Sequence, residues 1–223
     1  LEAGLLFEMA HNNLNNGHTF LPRRKLVEAT GVLLEVPCQM LEDCLTTLLD
    51  RGEAELERIA GQEAVYLPAL HDAEAFIAQR LGEMSASRLL PPDGLDRLID
   101  RIQREQRITY APQQRQAVEL AAERQVMLLT GGPGTGKTTC LRGVLDLFDR
   151  MGLETALAAP TGRAAKRLGE LCGTEASTIH RLLETGFDPH SGRLVFAKNS
   201  YAPLQADAVI VDETSMVDVP LMA

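Results

Sequence analysis

Apolar side chains recur three and four positions apart in the first part of the chain, which is the spacing of helices with one buried face. Helices are predicted over residues 5–14, 22–29 and 37–50, each ended by a glycine-containing turn signal, which for the second is Thr30-Gly31. Residues 18–21 are expected to be extended. Alternating apolar and polar residues around Gly61-Gln62 predict a β-hairpin over residues 53–67. Helix, strand, two helices and a hairpin follow one another as in a winged-helix module.

Two further helical patterns cover residues 68–90 and 95–107, with Pro91-Pro92-Asp93-Gly94 between them. After Tyr110, helical and strand patterns alternate, as they do in a parallel sheet covered by helices. Helices are predicted over residues 111–124 and 140–151, and short apolar strands over residues 126–130, 155–159 and 208–211. In such a sheet, ligands bind at the carboxyl ends of the strands.

These patterns divide the chain into three parts. Residues 1–90 are predicted to form a mainly helical, winged-helix-like module, residues 91–107 a linker helix, and residues 108–223 an α/β domain with a parallel sheet. The helix at 37–50, which would be the recognition helix, carries Glu42, Asp43 and Asp50 and no basic residue, so it would repel a phosphate backbone. A structural role or protein contacts are therefore expected for it. The basic cluster Arg23-Arg24-Lys25 is interpreted as a solvated helix face, with a DNA contact as the alternative.

Net charge does not decide whether the partner is a nucleic acid. The 223-residue chain has a formal charge of −9, but 6 basic and 14 acidic side chains lie in residues 1–85, against 16 and 17 in the remainder. The nearly neutral second part can still carry a local basic groove. Four cysteines without metal-ligand spacing favour reduced thiols in the cytoplasm, and no apolar stretch approaches the about 20 residues of a membrane span. The chain is expected to be soluble and, since it begins at Leu1, to be part of a longer protein.

A glycine-rich segment between the strand pattern at 126–130 and the helix pattern at 140–151 carries the most specific chemistry. Its sequence, GGPGTGKTT over residues 131–139, matches the phosphate-binding pattern GxxxxGK[ST]. Backbone N–H groups of such a loop point at phosphate oxygens, and the following helix adds its positive end. Lys137 is expected on the β- and γ-phosphates and Thr138 on Mg²⁺. The predicted nucleotide-binding residues are Gly132, Gly134, Thr135, Gly136, Lys137, Thr138 and Thr139.

Asp212 and Glu213 directly follow the last predicted strand, about 75 residues after the loop. Asp212 is expected to hold the same Mg²⁺ as Thr138, and Glu213 to orient or deprotonate the attacking water. An acidic pair after a strand is a weak signal alone, but it is strong when it follows a phosphate loop. Phosphoryl transfer from ATP to water, with Lys137 and Glu213 as the catalytic residues, is therefore the predicted reaction.

Four motifs, in this order, resemble the first half of the motor of RecD-like helicases, the 5′-to-3′ branch of superfamily 1. They are GGPGTGKTT at residues 131–139, APTGRAAKRL at 159–168, STIHRLL at 177–183 and VIVDETSMVD at 209–218. The resemblance covers about residues 108–223 and implies an incomplete RecA-like P-loop domain. Residues 1–90 resemble the N-terminal extension of the long stand-alone enzymes that are often called exodeoxyribonuclease V alpha subunits.

The resemblance also implies roles for single residues. Gln114 matches a glutamine that reads adenine, although the residues alone do not distinguish it from Gln113. His180 lies in another motif, but a histidine on a leucine-rich helix is equally consistent with a structural role. Contacts to single-stranded DNA are implied for Thr161, Gly162, Arg163, Lys166 and His180, with Arg167 extending the set.

The implied partners are single-stranded DNA and a second RecA-like domain of the same polypeptide, whose arginines would reach the γ-phosphate. Residues 1–223 alone are therefore expected to bind ATP and Mg²⁺ weakly and to hydrolyse ATP slowly. DNA repair or recombination is the implied process, with other repair proteins as further partners and no membrane.

Other functions remain compatible with these residues. A P-loop ATPase that acts as a regulatory or assembly switch would bind nucleotide without depending on DNA. The acidic N-terminal module fits an adaptor for partner proteins. A conjugative, relaxase-linked helicase is a nearer alternative, although residues 1–223 contain no nuclease part. Residues 187–201, with glycines at 186 and 192, are interpreted as an inserted loop or hairpin without an assigned role.

Overall fold

The computed structural model describes residues 1–132, 134–187 and 194–223. These residues form two compact units, Leu1–Arg80 with Asp218–Ala223, and Leu81–Val217. None of the helices in the described ranges combines the length and the apolar character that a membrane span needs.

The first unit combines helices with a small antiparallel sheet. Its elements in chain order are α1 (Glu2–Asn16), β1 (Phe20–Pro22), α2 (Arg23–Leu34), α3 (Cys38–Asp50), β2 (Glu55–Ile59), β3 (Gln62–Tyr66) and α4 (Pro68–Ala86), which continues into the second unit. Strand β3 lies between β1 and β2 and is antiparallel to both. The predicted order of helices and hairpin is confirmed, with Gln62 inside β3.

An apolar core holds α1, α2 and α3 of this unit against its sheet. The apolar spacing that predicts each helix also puts these side chains on one face, so their burial favours the packed arrangement by roughly 25 cal/mol per Å² of apolar surface. The buried members include Leu5 and Met9 of α1, Leu26 of α2, Leu41, Leu45 and Leu48 of α3, and Val65 of β3.

The predicted end of α2 at Thr30-Gly31 is wrong. The helix continues to Leu34, and both residues pack inside the unit: Thr30 is fully buried, and a Cβ on Gly31 would lie 3.2 Å from the carbonyl oxygen of Val36. The glycine therefore permits close packing within the helix. The helix ends instead at Glu35, whose φ of 55° is left-handed.

Helix α4 differs from its predicted extent and from its predicted buried face. It ends at Ala86 and not at residue 90, and among its described residues Leu70 alone is buried. Phe76, expected on the apolar side, is 50% exposed. The two compact units divide within this helix, between Arg80 and Leu81, and among the described residues neither core cluster includes a side chain of α4.

The second unit begins with a cluster of helices and continues as a parallel sheet with helices and a hairpin. Its elements are α5 (Leu95–Gln106), α6 (Pro112–Glu123), α7 (Lys137–Arg150), β4 (Thr155–Ala159), α8 (Gly162–Cys172), β5 (Ala176–Thr178), α9 (Ile179–Leu182), β6 (Thr185–Phe187), β7 (Leu194–Phe196) and β8 (Ala208–Val211), followed by a 3₁₀ turn (Thr214–Met216). Helices α5, α6 and α7 share a core that includes Ile99, Ile102, Val118, Val144 and Leu147.

The parallel sheet positions three loops at one edge. Strand β4 lies between β5 and β8 and is parallel to both. Ala159 pairs with Thr178, and Ala158 pairs with Val211, so the carboxyl ends of the three strands are level. The α/β fold class, with a parallel sheet in a P-loop domain, is thereby confirmed.

The strand predicted at 126–130 is not formed within the described residues. These residues have no ladder partner there, and Leu128 is 83% exposed. The apolar sequence favours a strand, but strand formation also needs a neighbour that accepts and donates the ladder hydrogen bonds. Among the described strands, β8 pairs only with β4.

The insertion predicted at residues 187–201 is in part a hairpin. Strands β6 and β7 pair antiparallel, with Thr185 opposite Phe196 and Phe187 opposite Leu194. Positions 188–193 of the predicted insertion lie outside the described residues.

Candidate functional site

The phosphate loop leads directly into α7. Gly136 caps the helix with a φ of 87°, and Gly134 has a φ of 74°, a left-handed region that disfavours any side chain. The backbone N–H groups of Gly134, Thr135 and Gly136 donate to no acceptor within the described residues. Free N–H groups at the start of a helix form an anion-binding arrangement, because the helix dipole adds positive potential there.

Lys137 folds back over this loop. Its Nζ donates to the carbonyl oxygens of Gly131 and, at 3.1 Å, of Gly132. The hydroxyl of Thr135 also donates to Gly132, at 2.9 Å. An ammonium held by two neutral carbonyls can exchange them for phosphate oxygens, which give stronger, charge-assisted hydrogen bonds. The donors of this loop therefore fit a polyphosphate.

Gln114 contacts the phosphate loop, whereas its neighbour Gln113 is exposed. The Oε1 atom of Gln114 accepts the N–H of Ala111 at 3.0 Å, and its Nε2 donates to the carbonyl of Thr135 at 3.2 Å. A Cβ on Gly136 would lie 2.4 Å from that Nε2. Of the two glutamines that the sequence left open, the structure therefore brings Gln114 to the loop.

Asp212 and Glu213 lie at the carboxyl end of β8, and both are exposed. One carboxylate oxygen of Asp212 accepts the N–H of Glu213 at 2.9 Å, and Glu213 has a left-handed φ of 54°. A non-glycine residue in this region carries backbone strain, which occurs preferentially at functional sites. Within the described part of the chain, no hydrogen bond or ion pair joins this pair to the phosphate loop.

Cys172, at the end of α8, lies near both parts of the predicted nucleotide site. Burial raises the pKa of its thiol, the Arg142 guanidinium on α7 lowers it, and Asp212 raises it further. Arg142 is one turn after Thr138, and both line an open cavity of about 710 Å³ together with Cys172. The start of α7 and the end of β8 are therefore both close to the end of α8.

The predicted DNA-contact residues follow β4 and β5 at the same sheet edge. The hydroxyl of Thr161 accepts the N–H of Ala164 at 3.2 Å and so caps α8. Gly162 begins that helix, and Arg163 and the His180 side chain are exposed. Lys166 is 80% exposed, and its ammonium is 3.9 Å from the carboxylate of Glu170. Within the described residues, Lys166 is paired with Glu170, whereas the Arg163 and His180 side chains are exposed without a hydrogen bond or ion pair.

Two contacts of α7 were missed by sequence reasoning. Arg142 Nε donates to the carbonyl of Leu171 at 2.5 Å, which places a cation at the negative end of α8. The Tyr110 ring lies over Gly143, where a Cβ would be 2.2 Å from the hydroxyl. A glycine inside a helical pattern was the available signal for the second contact, because such a glycine often marks close packing.

Comparison with known proteins places the second half of the chain in a described family. Residues 114–223 match the family model described as an AAA domain. The match begins at Gln114 and includes the phosphate loop, the Thr161 loop and the Asp212-Glu213 pair.

Individual relatives extend the similarity to the whole chain. The ATP-dependent RecD2 DNA helicase of Deinococcus radiodurans is 32% identical over 231 residues, covering 100% of this chain and 31% of that protein. The RecBCD enzyme subunit RecD of Mycobacterium tuberculosis is 32% identical over 220 residues, covering 88% of this chain and 33% of that protein. The ATP-dependent DNA helicase dda of Enterobacteria phage T4 is 37% identical over 92 residues, covering 40% of this chain and 21% of that protein.

The chain thus spans about a third of the length of the RecD2 and RecD relatives. Nucleotide binding is the chemistry that this family implies, and the loop donors described above fit it. The ordered motifs, the parallel P-loop sheet and the similarity over the full chain identify these residues as part of a RecD-like helicase homologue.

Proposed function

We propose that the complete protein is an ATP-dependent DNA helicase of the RecD type, acting in DNA repair or recombination in the cytoplasm. Residues 81–217 would bind ATP, Mg²⁺ and single-stranded DNA, and couple ATP hydrolysis to movement along the DNA. The observation that carries this proposal is the phosphate loop, whose N–H groups have no acceptor among the described residues and which belongs, with its lysine, to the same compact unit as Asp212-Glu213 and the Thr161 loop.

Separate groups around the loop are proposed to bind the phosphates and the Mg²⁺ ion. Lys137 exchanges its two carbonyl partners for oxygens of the β- and γ-phosphates, and the N–H groups of Gly134 and Gly136 donate to the same anion. The hydroxyl of Thr138 and the free carboxylate oxygen of Asp212 are the ligands proposed for Mg²⁺. When bound, the ion would neutralise charge that develops on the phosphates.

Glu213 is the proposed base. Its side chain is exposed and makes no hydrogen bond within the described residues, while its backbone N–H is held by Asp212. The fixed backbone leaves the carboxylate free to accept a proton from the attacking water. Such a residue affects turnover much more than binding, since it contacts water and not the nucleotide.

The DNA contacts are proposed for α8 and α9. The first N–H groups of α8, at Gly162 and Arg163, lack helical partners and can donate to a phosphate oxygen of the strand. The Arg163, Lys166 and His180 side chains are exposed and supply charge or further donors. The Thr161 hydroxyl oxygen accepts the N–H of Ala164 in the helix cap, and its hydroxyl hydrogen can still donate to a phosphate oxygen.

Residues 1–90 are proposed to act as a winged-helix-like module that does not read DNA. Arg23, in the basic cluster of that module, is 2.8 Å from Glu42 and 3.4 Å from Glu63, so its charge is compensated by acidic neighbours. The proposed partners are therefore a second RecA-like domain of the same polypeptide and other repair proteins, with DNA held by the motor domain.

The test compares ATP binding with ATP hydrolysis in the intact protein. Lys137→Ala removes the phosphate-binding cation and is expected to weaken binding and abolish turnover. Glu213→Gln is expected to retain ATP binding and to lower kcat by about 10²- to 10⁴-fold. Glu175→Gln, at a carboxylate that is 85% exposed, is the matched control and should behave as wild type. Wild-type hydrolysis by both Lys137→Ala and Glu213→Gln would overturn the proposed site.

A further inference from the structure

Gln114 is anchored at both ends of its amide. It occupies the third position of α6, where its Oε1 accepts the N–H of Ala111 at 3.0 Å in the manner of a capping-box side chain. Its Nε2 donates to the carbonyl of Thr135 at 3.2 Å. The amide lies so close to Gly136 that a Cβ there would be 2.4 Å from Nε2. The start of α6 is therefore joined to the phosphate loop through one side chain.

The contact fixes the orientation of one peptide group in the loop. A trans peptide is planar, and its C=O and N–H point in opposite directions. Because Gln114 holds the Thr135 carbonyl, the N–H of Gly136 in that peptide is directed away from Gln114. This N–H has no acceptor within the described residues and is one of the donors proposed for phosphate. The same hydrogen bond limits rotation at Gly136, whose φ of 87° a glycine could easily leave.

We infer that Gln114 is a positioning residue for the phosphate loop, in addition to any contact with the base. An amide has two N–H donors and two acceptor lone pairs, and the two hydrogen bonds described here use one of each. The remaining donor and lone pair can pair with the edge of a base while the loop is held. Affinity for the phosphates alone therefore depends on Gln114. This inference rests on the proposed nucleotide site.

The test uses a ligand that has phosphates and no base. ATP and inorganic tripolyphosphate, each with Mg²⁺, are titrated into the intact protein and into its Gln114→Ala and Gln113→Ala variants by calorimetry. Gln113 is exposed beside Gln114 on the same helix, so its variant controls for changes to α6. Gln114→Ala is expected to weaken both ligands about three- to tenfold, the effect of losing the one hydrogen bond to the loop carbonyl of Thr135, and Gln113→Ala to leave both unchanged.

A second variant separates the loop contact from the helix cap. Gln114→Glu keeps an oxygen for the N–H of Ala111 but has no donor for Thr135. It is measured at high salt, where repulsion between the new carboxylate and the phosphates is screened. The expected result is weakened tripolyphosphate binding with α6 intact by circular dichroism.

The outcomes separate this inference from the nucleotide site itself. Tripolyphosphate binding that is unchanged in Gln114→Ala, with ATP binding weakened, would mean that Gln114 serves the base alone and would overturn the inference. Tripolyphosphate binding by Gln114→Glu that equals wild type would overturn the inference as well. Gln114 would then act through the cap of α6 and not through its hydrogen bond to the loop. Wild-type protein that binds neither ligand would contradict the proposed nucleotide site.

Discussion

At the scale of single residues, the second unit depends on close approaches that only glycine allows. Tyr110 covers Gly143 of α7, and Gln114 covers Gly136 at the start of the same helix. The two contacts hold the segment that leads into α6 against the helix that follows the phosphate loop. Tyr110 is 6% exposed, and burial raises the pKa of its hydroxyl, with Asp146 contributing. The phosphate loop is thus supported by packing as well as by hydrogen bonds.

Substitution by alanine is predicted to change the free energy of unfolding in opposite directions at two helical glycines, Gly143 and Gly82. In Gly143→Ala the new methyl group would meet the Tyr110 ring, so the free energy of unfolding is expected to fall by about 1 to 3 kcal/mol. In Gly82→Ala of α4 the methyl group meets nothing within 4 Å, and alanine favours the helix by about 0.5 to 1 kcal/mol. Denaturant unfolding measures both. A shift of the same sign in the two variants would contradict the described contact.

The raised pKa of Tyr66 predicts how the free energy of unfolding changes at alkaline pH. Burial, followed by the nearby Glu74 carboxylate, raises the pKa of Tyr66 to about 12 from an ordinary value of 10.0. Between these values the unfolded chain loses the phenolic proton while the folded chain retains it, so stability falls as pH rises. Tyr66→Phe should remove about 1 to 2 kcal/mol of that fall in denaturant unfolding. The control is Tyr201→Phe, at a side chain that is 97% exposed, and an equal effect there would argue against this cause.

At the scale of elements, residues 126–130 show that a local apolar pattern can favour a strand without determining whether the strand is paired. The run of Val126, Met127, Leu128 and Leu129 has the composition of a buried strand. Its backbone has no ladder partner within the described residues, and Leu128 and Leu129 are exposed, while Met127 is partly buried against the core of the second unit. A strand is stabilised by its neighbours, and sequence periodicity does not reveal whether a neighbour is present.

Hydrogen exchange tests this description of residues 126–130. In the 223-residue chain, amides of this segment should exchange at close to the unprotected rate, because they donate to no strand that the structure describes. Amides of β4, which is paired on both sides, should exchange much more slowly. Equal protection of the two segments would contradict this description and show that residues 126–130 are hydrogen-bonded as a strand.

Periodicity and motifs predicted much of the fold and of the site. The spacing of Leu41, Leu45 and Leu48 was sufficient for α3, and GxxxxGK[ST] located the loop before α7. The errors have a common cause, since each depended on tertiary contacts. Gly31 was interpreted as a helix end, although it packs inside α2. The bond from Gln114 to Thr135 joins residues 21 positions apart, and no local pattern indicates it.

At the scale of the whole chain, the net negative charge and the candidate site residues lie in different parts of the sequence. Most of the net negative charge of −9 lies in the first 85 residues. The phosphate loop, the Asp212-Glu213 pair and the exposed Arg163 all belong to the unit Leu81–Val217. An acidic first part and a nearly neutral second part are consistent with the proposal that DNA is bound by the second part alone.

Stimulation of ATP hydrolysis by single-stranded DNA in the intact protein tests the proposed motor most directly. Steady-state rates are measured with increasing DNA for wild type, Arg163→Ala and the control Arg24→Ala, whose side chain is 87% exposed in the first unit. DNA is expected to raise wild-type hydrolysis several-fold. Arg163→Ala should need more DNA for the same rate, and Arg24→Ala should match wild type, because α8 carries the proposed DNA contacts and the first unit carries none. Wild-type hydrolysis that is the same with and without DNA would contradict the motor and favour an ATPase switch.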